Sequence, residues 1–141
     1  MPIDNCVRNI FSAHGNTIYY QGPGAKIFEY SAGNSRFLGV KGAYPAISPD
    51  GKKLAFLRFS WFTRDIQVLD IETGKVLTVF RLFGPRYFWP EIRWSMDNKY
   101  LAVREKLDLS PNPLFVVDVL KKKEIAKLKE NYACNWFFVS E

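Results

Sequence analysis

The chain has one histidine, two cysteines and two methionines among 141 residues, and these scarcities exclude several chemistries. Cys6 and Cys134 lie near opposite ends, form no CxxC pair and lack His companions at ligand spacing, so no metal site is expected. Two isolated cysteines do not make a secreted disulfide scaffold, and they would meet only if the two ends of the chain pair. His14 precedes Gly15-Asn16 near a turn and reads as structural or solvated, because general acid–base chemistry needs a positioned partner. Ser12, Ser48, Ser95 and Ser110 sit in no Gly-x-Ser-x-Gly elbow. No Gly-rich phosphate loop occurs, and Gln21-Gly22-Pro23-Gly24 reads as a turn. No catalytic residue and no cofactor is therefore assigned, and an enzyme is the least favoured class. Long apolar runs are missing too. Asp4, Asn5, Arg8 and Asn9 interrupt any leader-like segment at the start, and nothing approaches a membrane-spanning length. The expectation is a cytoplasmic protein with no membrane partner.

What is abundant is aromatic and basic. Twelve Phe, seven Tyr and four Trp make 16% of the chain, and 48% is hydrophobic, enough for a packed core. Aromatic side chains suit pleated, half-buried surfaces, which leans the reading toward strand. Twenty Lys and Arg against fourteen Asp and Glu leave a net charge of +6. Such a balance suits an acidic partner, protein or nucleic acid, or serves solubility alone.

The main signal is an internal repeat. Residues 44–57 contain Ser48-Pro49-Asp50-Gly51-Lys52-Lys53-Leu54-Ala55, and residues 92–104 contain Ser95-Met96-Asp97-Asn98-Lys99-Tyr100-Leu101-Ala102. Ser48 and Ser95 stand 47 residues apart, and Asp70 and Asp118 stand 48 apart. Each unit runs strand, tight Asp-Gly or Asp-Asn turn, strand, longer loop, strand, turn, strand. Asp-Gly and Asp-Asn accept the left-handed backbone values of a tight hairpin. In the first of these units Lys53–Arg58, Ile66–Ile71 and Val76–Arg81 are the expected later strands, with Gly74 serving the last turn. In the second they begin with Tyr100–Arg104 and Leu114–Val119. Asp70 and Asp118 are expected to anchor turns by accepting backbone hydrogen bonds. A degenerate earlier unit spans 5–40, with expected strands at Cys6–Phe11, Asn16–Tyr20, Lys26–Tyr30 and Arg36–Val40. Tyr132–Val139 adds one aromatic strand. The fold expectation is all-β: a single domain over 1–141 made of four-stranded antiparallel blades at 5–40, 44–81 and 89–129, plus a strand at 132–139.

The segment 44–56, followed by Ile66-Gln67-Val68-Leu69-Asp70-Ile71-Glu72-Thr73-Gly74-Lys75, resembles the TolB-type, WD-repeat-like β-propeller repeat. The resemblance is strong over 44–80, fair over 89–129 and weak over 5–40. It implies blades around a central axis, commonly a docking platform. Three blades and a strand fall short of the four to eight of a closed ring. The expected form is therefore a partial or open propeller, or two chains forming a homodimer through exposed blade edges. Lys121, Lys122, Lys123, Lys127 and Lys129 would protect such an edge.

Blade connectivity puts the Asp50-Gly51 and Thr73-Gly74 turns at one end of a blade. The loops between second and third strands, and those between blades, share the other end. That end collects aromatic and basic residues, the types enriched where interfaces carry their energy. The candidate partner-binding residues are Trp61, Phe62, Arg64, Phe83, Arg86, Tyr87 and Lys106. The bland alternative is that these aromatics fold back over the core. The favoured function is a non-enzymatic protein-binding module, for instance a small inhibitor or bacterial immunity protein that neutralises a toxin through an acidic toxin face. The alternative is a nucleic-acid-binding protein that pairs phosphate contacts with base stacking, although no nucleic-acid motif is present.

Overall fold

The computed structural model describes residues 11–83, 89–106 and 113–128. Twelve strands form three four-stranded antiparallel sheets, each made of consecutive strands in simple order. Blade 1 contains β1 (Phe11–His14), β2 (Thr17–Gln21), β3 (Lys26–Ser31) and β4 (Asn34–Lys41). Blade 2 contains β5 (Ala43–Ile47), β6 (Lys53–Phe59), β7 (Thr63–Asp70) and β8 (Val76–Phe83). Blade 3 contains β9 (Trp89–Trp94), β10 (Tyr100–Lys106), β11 (Leu114–Asp118) and β12 (Lys123–Leu128). The first strands of the three blades, β1, β5 and β9, touch one another in turn, as strands around a common axis do.

The repeat unit is therefore the structural unit, and its turn chemistry is repeated in detail. Ser48 Oγ donates to Asp50 Oδ1 at 2.6 Å and accepts from the Lys53 amide at 3.0 Å, while Asp50 Oδ1 accepts from the Lys52 amide. In blade 3, Ser95, Asp97, Lys99 and Tyr100 make the same contacts. Gly51 takes the left-handed conformation at φ 74°, and Asn98 takes it at φ 61° in the corresponding position. Asn tolerates that region better than most side chains. Asp70 and Asp118 each accept a backbone amide three residues on, at 2.9 Å, as the sequence implies.

The first strand of blade 1 ends later than its sequence suggests, at His14 and not at Phe11. Its first strand is Phe11–His14, and Cys6–Ile10 of the expected Cys6–Phe11 strand lies outside the described residues. The Tyr132–Val139 strand also lies outside them. The later end follows from hairpin register: His14 pairs with Thr17 across Gly15-Asn16, so the strand runs up to the two-residue connection.

Packing is between blade faces. On one face of blade 2, Leu54, Phe56 and Leu69 pack against Tyr19 and Ile27 of blade 1. On the other, Ala55, Leu57, Ile66 and Val68 pack against Ile92, Trp94, Val103 and Val117 of blade 3. Strand alternation alone separates these two sets. Polar ties reinforce both contacts. The Ser12 hydroxyl accepts from the Ile47 amide at 3.0 Å, and Asn98 Oδ1 accepts from the Asp50 amide at 3.0 Å. The buried Trp94 indole donates to the Ala46 carbonyl at 2.8 Å. The outer edge of blade 3 is β12, which carries Lys123 and Lys127, and charge of this kind discourages further strand pairing.

Two outcomes follow. Trp94→Phe keeps the ring and removes the donor from a buried carbonyl, so a loss of about 1–3 kcal/mol is expected, read from the urea unfolding midpoint. Acid should also loosen the blades. The Ser95 hydroxyl and the Lys99 amide hold the Asp97 carboxyl below its ordinary 3.8. At Asp50 burial pulls the carboxyl upward, but the Ser48 hydroxyl and Lys52 amide outweigh it and the net direction is down. A depressed folded-state value means that the stabilisation is complete above the ordinary carboxylate range and is lost as pH falls through the folded value. Thermal unfolding is expected to shift down as pH drops below about 4, with a smaller acid shift in Asp97→Asn.

Candidate functional site

β6 and β7 are joined by Ser60-Trp61-Phe62-Thr63, with only two residues at the tip. The turn is tied at its base. The Ser60 amide donates to the Thr63 carbonyl at 2.9 Å, the two hydroxyls lie 2.6 Å apart, and the Thr63 amide donates to Ser60 Oγ at 3.3 Å. Two-residue hairpin tips favour Asn, Asp or Gly, whose backbone freedom matches the twist of the strands. Here the tip holds two large aromatics, 84% and 83% exposed. Burial of these two side chains contributes little to folding at that place.

Phe83, at the end of β8, pairs with Thr63 and is 75% exposed. Phe59, which pairs with Arg64 at the top of the β6–β7 ladder, is also exposed. The structure thus brings Trp61, Phe62 and Phe83 to one end of blade 2, outside the core. Contiguous apolar exposure of this kind marks an interaction surface more than a solvated loop.

Arg64 requires a correction. It is only 1% exposed and does not belong to the exposed patch. The sequence reading treats 59–64 as loop, whereas β7 already begins at Thr63. Arg64 is therefore a ladder residue, paired with Phe59 and Leu82. Alternation sends its side chain to the same face as Ile66, toward blade 3. Arg86 and Tyr87 lie outside the described residues. Lys106 ends β10, where it pairs with Trp89.

A feature missed in the sequence lies beside this end of the sheet. A cavity of about 630 Å³ opens between blades 1 and 2, lined by Phe37, Lys41, Gly42, Arg58, Phe59 and Gln67 among others. Its volume falls in the range of sites that accept a small molecule or a partner side chain, and Lys41 and Arg58 make its wall cationic. The one sequence signal was Gln67. It is a polar residue in the apolar run Ile66-Gln67-Val68-Leu69, and its buried amide donates to Thr78 Oγ1 at 3.2 Å. Gly42, on the cavity wall between β4 and β5, lets the connection lie close against β6. A Cβ on Gly42 would sit 2.5 Å from the Phe56 ring and 2.6 Å from the Leu57 carbonyl. Among the described residues, no group of three or more His, Cys, Asp or Glu is placed to hold a metal ion, and no helix is long and apolar enough to cross a membrane.

No protein-family model matches the sequence, and no curated protein matches it. Solved structures do match. The β-propeller domain of the Trilobed protease from Pyrococcus furiosus, described as having an open velcro topology, is 20% identical with a TM-score of 0.65. That match covers 87% of this chain and 42% of that one. Acylaminoacyl peptidase from Pyrococcus horikoshii is 20% identical with a TM-score of 0.64, covering 87% and 25%. TolB from Acinetobacter baumannii is 20% identical with a TM-score of 0.63, covering 81% and 30%. The chain thus spans less than half the length of each. At these identities the likeness establishes the fold, which is a TolB-type, propeller-like arrangement of blades.

Trp61→Ala and Phe62→Ala are expected to leave stability within about 0.5 kcal/mol of the parent, as exposed substitutions do. Arg64→Ala is expected to destabilise clearly. Urea unfolding of the three variants separates the exposed tip from the buried arginine beside it.

Proposed function

We propose that this chain is a non-enzymatic protein-binding module that docks a protein partner on the second-to-third-strand end of blade 2. One observation carries the reading: Trp61 and Phe62 occupy a hydrogen-bonded two-residue tip, almost wholly exposed, where turn chemistry calls for small residues. A rigid, exposed aromatic pair loses little entropy on binding and buries a large area, which is the character of interface hot spots. Phe83 extends the apolar contact. The Lys41 and Arg58 wall of the neighbouring cavity suits an acidic side chain of the partner. The fold supports the reading in a general way, since propeller blades present their loops at defined ends.

The finer form of the proposal is an inhibitor of immunity-protein type, which neutralises a toxin by covering an acidic surface. It rests on the basic balance of the chain and depends on what the partner is.

The test is affinity capture from source-cell lysate with the intact chain as bait, beside a Trp61→Ala/Phe62→Ala bait and a nuclease-treated control. The expected result is one protein recovered near equal stoichiometry, unaffected by nuclease. The double variant should bind it at least about 30-fold more weakly, the scale of a hot-spot loss. Recovery that collapses with nuclease or with modest added salt would replace this reading with nucleic-acid binding. A partner held equally well by both baits would move the site away from the tip.

A further inference from the structure

The cavity between blades 1 and 2 opens where blade 1 departs from the repeat. Each blade has a register shift between its third and fourth strands. In blade 2, β8 takes two steps, Thr78 to Phe80, where β7 takes one, Ile66 to Gln67. In blade 3, β12 takes two steps, Glu124 to Ala126, where β11 takes one, Val116 to Val117. In blade 1 the shift is larger. There β4 takes four steps, Phe37 to Lys41, where β3 takes two, Lys26 to Phe28. The enlarged bulge contains Gly39, whose φ of 79° lies in the left-handed region. Gly39, Val40 and Lys41 of this bulge all line the cavity. Bulges bend a strand and re-aim its side chains, and they recur next to active sites.

The charges at this place are also out of pattern. Ile18 pairs with Tyr30 in blade 1, and Leu54 pairs with Leu69 in blade 2. Counting along the strands from those pairs puts Lys26 in the position of Asp65. Asp65 pairs with Arg81, whereas Lys26 pairs with Lys41. Blade 2 thus holds a carboxylate–guanidinium fork there, with Arg81 Nε 2.7 Å from Asp65 Oδ1 and Nη2 3.0 Å from Oδ2. Blade 1 holds two lysines directly opposite one another, which is destabilising by itself. A bound anion relieves that repulsion. Arg58, on the blade 2 wall of the cavity, stands opposite Asp65 in the register, but Arg81 already holds both oxygens of that carboxylate. Among the described residues, Lys41 and Arg58 take part in no ion pair, and no Asp or Glu lines the cavity. The rest of the wall is mostly apolar. Phe37 and Phe59 are half-exposed on it, and Val76 joins them. Lys26 Nζ lies 5.4 Å from the centre of the Phe37 ring. The buried Gln67 amide donates to Thr78 Oγ1 with one of the two hydrogens it carries.

We propose that this cavity binds a small organic acid, with its carboxylate held by Lys41 and Arg58 and a flat apolar body against Phe37 and Phe59. A guanidinium matches a carboxylate in a two-bond fork, and charge-assisted hydrogen bonds of this kind are the strong ones. Apolar walls with a few placed polar groups are the usual make-up of a small-molecule site. The volume of about 630 Å³ holds a whole small molecule, more than the one acidic side chain that a docked protein would insert. The site is separate from the Trp61-Phe62 tip and does not depend on protein docking there. A partner's acidic side chain would compete with the acid for the same two cations.

The test is an NMR titration of the isotope-labelled intact chain with 2-naphthoate, beside the neutral 2-naphthalenemethanol and beside acetate. Saturable shifts are expected at the Gly39 and Gly42 amides and at the Gln67 side-chain amide. The alcohol, which lacks the charge, and acetate, which lacks the body, should each bind at least about tenfold more weakly. Lys41→Gln and Arg58→Gln should each weaken 2-naphthoate at least about tenfold with the fold intact by circular dichroism. Val76→Trp keeps both cations and fills the space, so it should abolish the shifts, and it decides the matter should a charge variant fail to fold. Trp61→Ala/Phe62→Ala should bind 2-naphthoate as the parent does, which keeps this result separate from the partner-binding test. The proposal is overturned by the absence of saturable shifts at these residues, by an alcohol that binds as tightly, or by binding indifferent to both cations. It also falls if N-acetylglutamate amide shifts the same residues and 2-naphthoate does not, since the cavity then serves a partner's side chain.

Discussion

Everything in this molecule depends on the burial of one blade face against the next. A four-stranded antiparallel sheet has two faces, and a repeat unit of this kind cannot cover both alone. Blade 2 shows the solved form of the problem. Leu54, Phe56 and Leu69 are buried on one side and Leu57, Ile66 and Val68 on the other. Each large aliphatic or aromatic side chain so buried contributes about 1.5–3 kcal/mol, against about 1 kcal/mol net for a typical hydrogen bond. The ties from Trp94 to Ala46, Asn98 to Asp50 and Ser12 to Ile47 therefore set the register between blades more than they hold the blades together.

The same constraint accounts for the surfaces left over. Turns at one end of blades 2 and 3 are filled by Ser-x-Asp hydrogen bonding and are spent on structure. The other end is released from that duty, and there blade 2 carries Trp61, Phe62 and Phe83. Structural demand and partner recognition thus occupy opposite ends of the sheet. Phe11, Ile18, Tyr30 and Phe37 of blade 1 are half-exposed and belong to neither end.

Much of the fold was legible because the repeat is local. Aligning Ser48 with Ser95 and Asp70 with Asp118 marks the turns, and turns in hairpins dictate where strands lie. Blade 1 was less legible because its first turn, His14-Gly15-Asn16-Thr17, lacks the Ser-Pro-Asp-Gly signature, which ended its expected first strand at Phe11, short of His14. At the site, Trp61, Phe62 and Phe83 could be assigned to an exposed end from connectivity alone. Arg64 could not be assigned correctly, because a difference of two residues in the end of a loop decides whether a side chain faces solvent or the neighbouring blade. The Lys41–Arg58 cavity was signalled only by the polar Gln67 in an apolar run, since its walls come from two blades that sequence treats as separate units.

The sequence by itself determined the strand grammar, the turn residues and the all-β class, because these follow from contacts within a dozen residues and from the alternation of side chains along a strand. Tertiary structure decided which face of each strand was buried, which arginine was lost to the core, and where a cavity opened. Those outcomes depend on contacts between residues some 35–48 apart, such as Ser12 with Ile47 and Ala46 with Trp94. Only the assembled arc brings such residues within reach of each other.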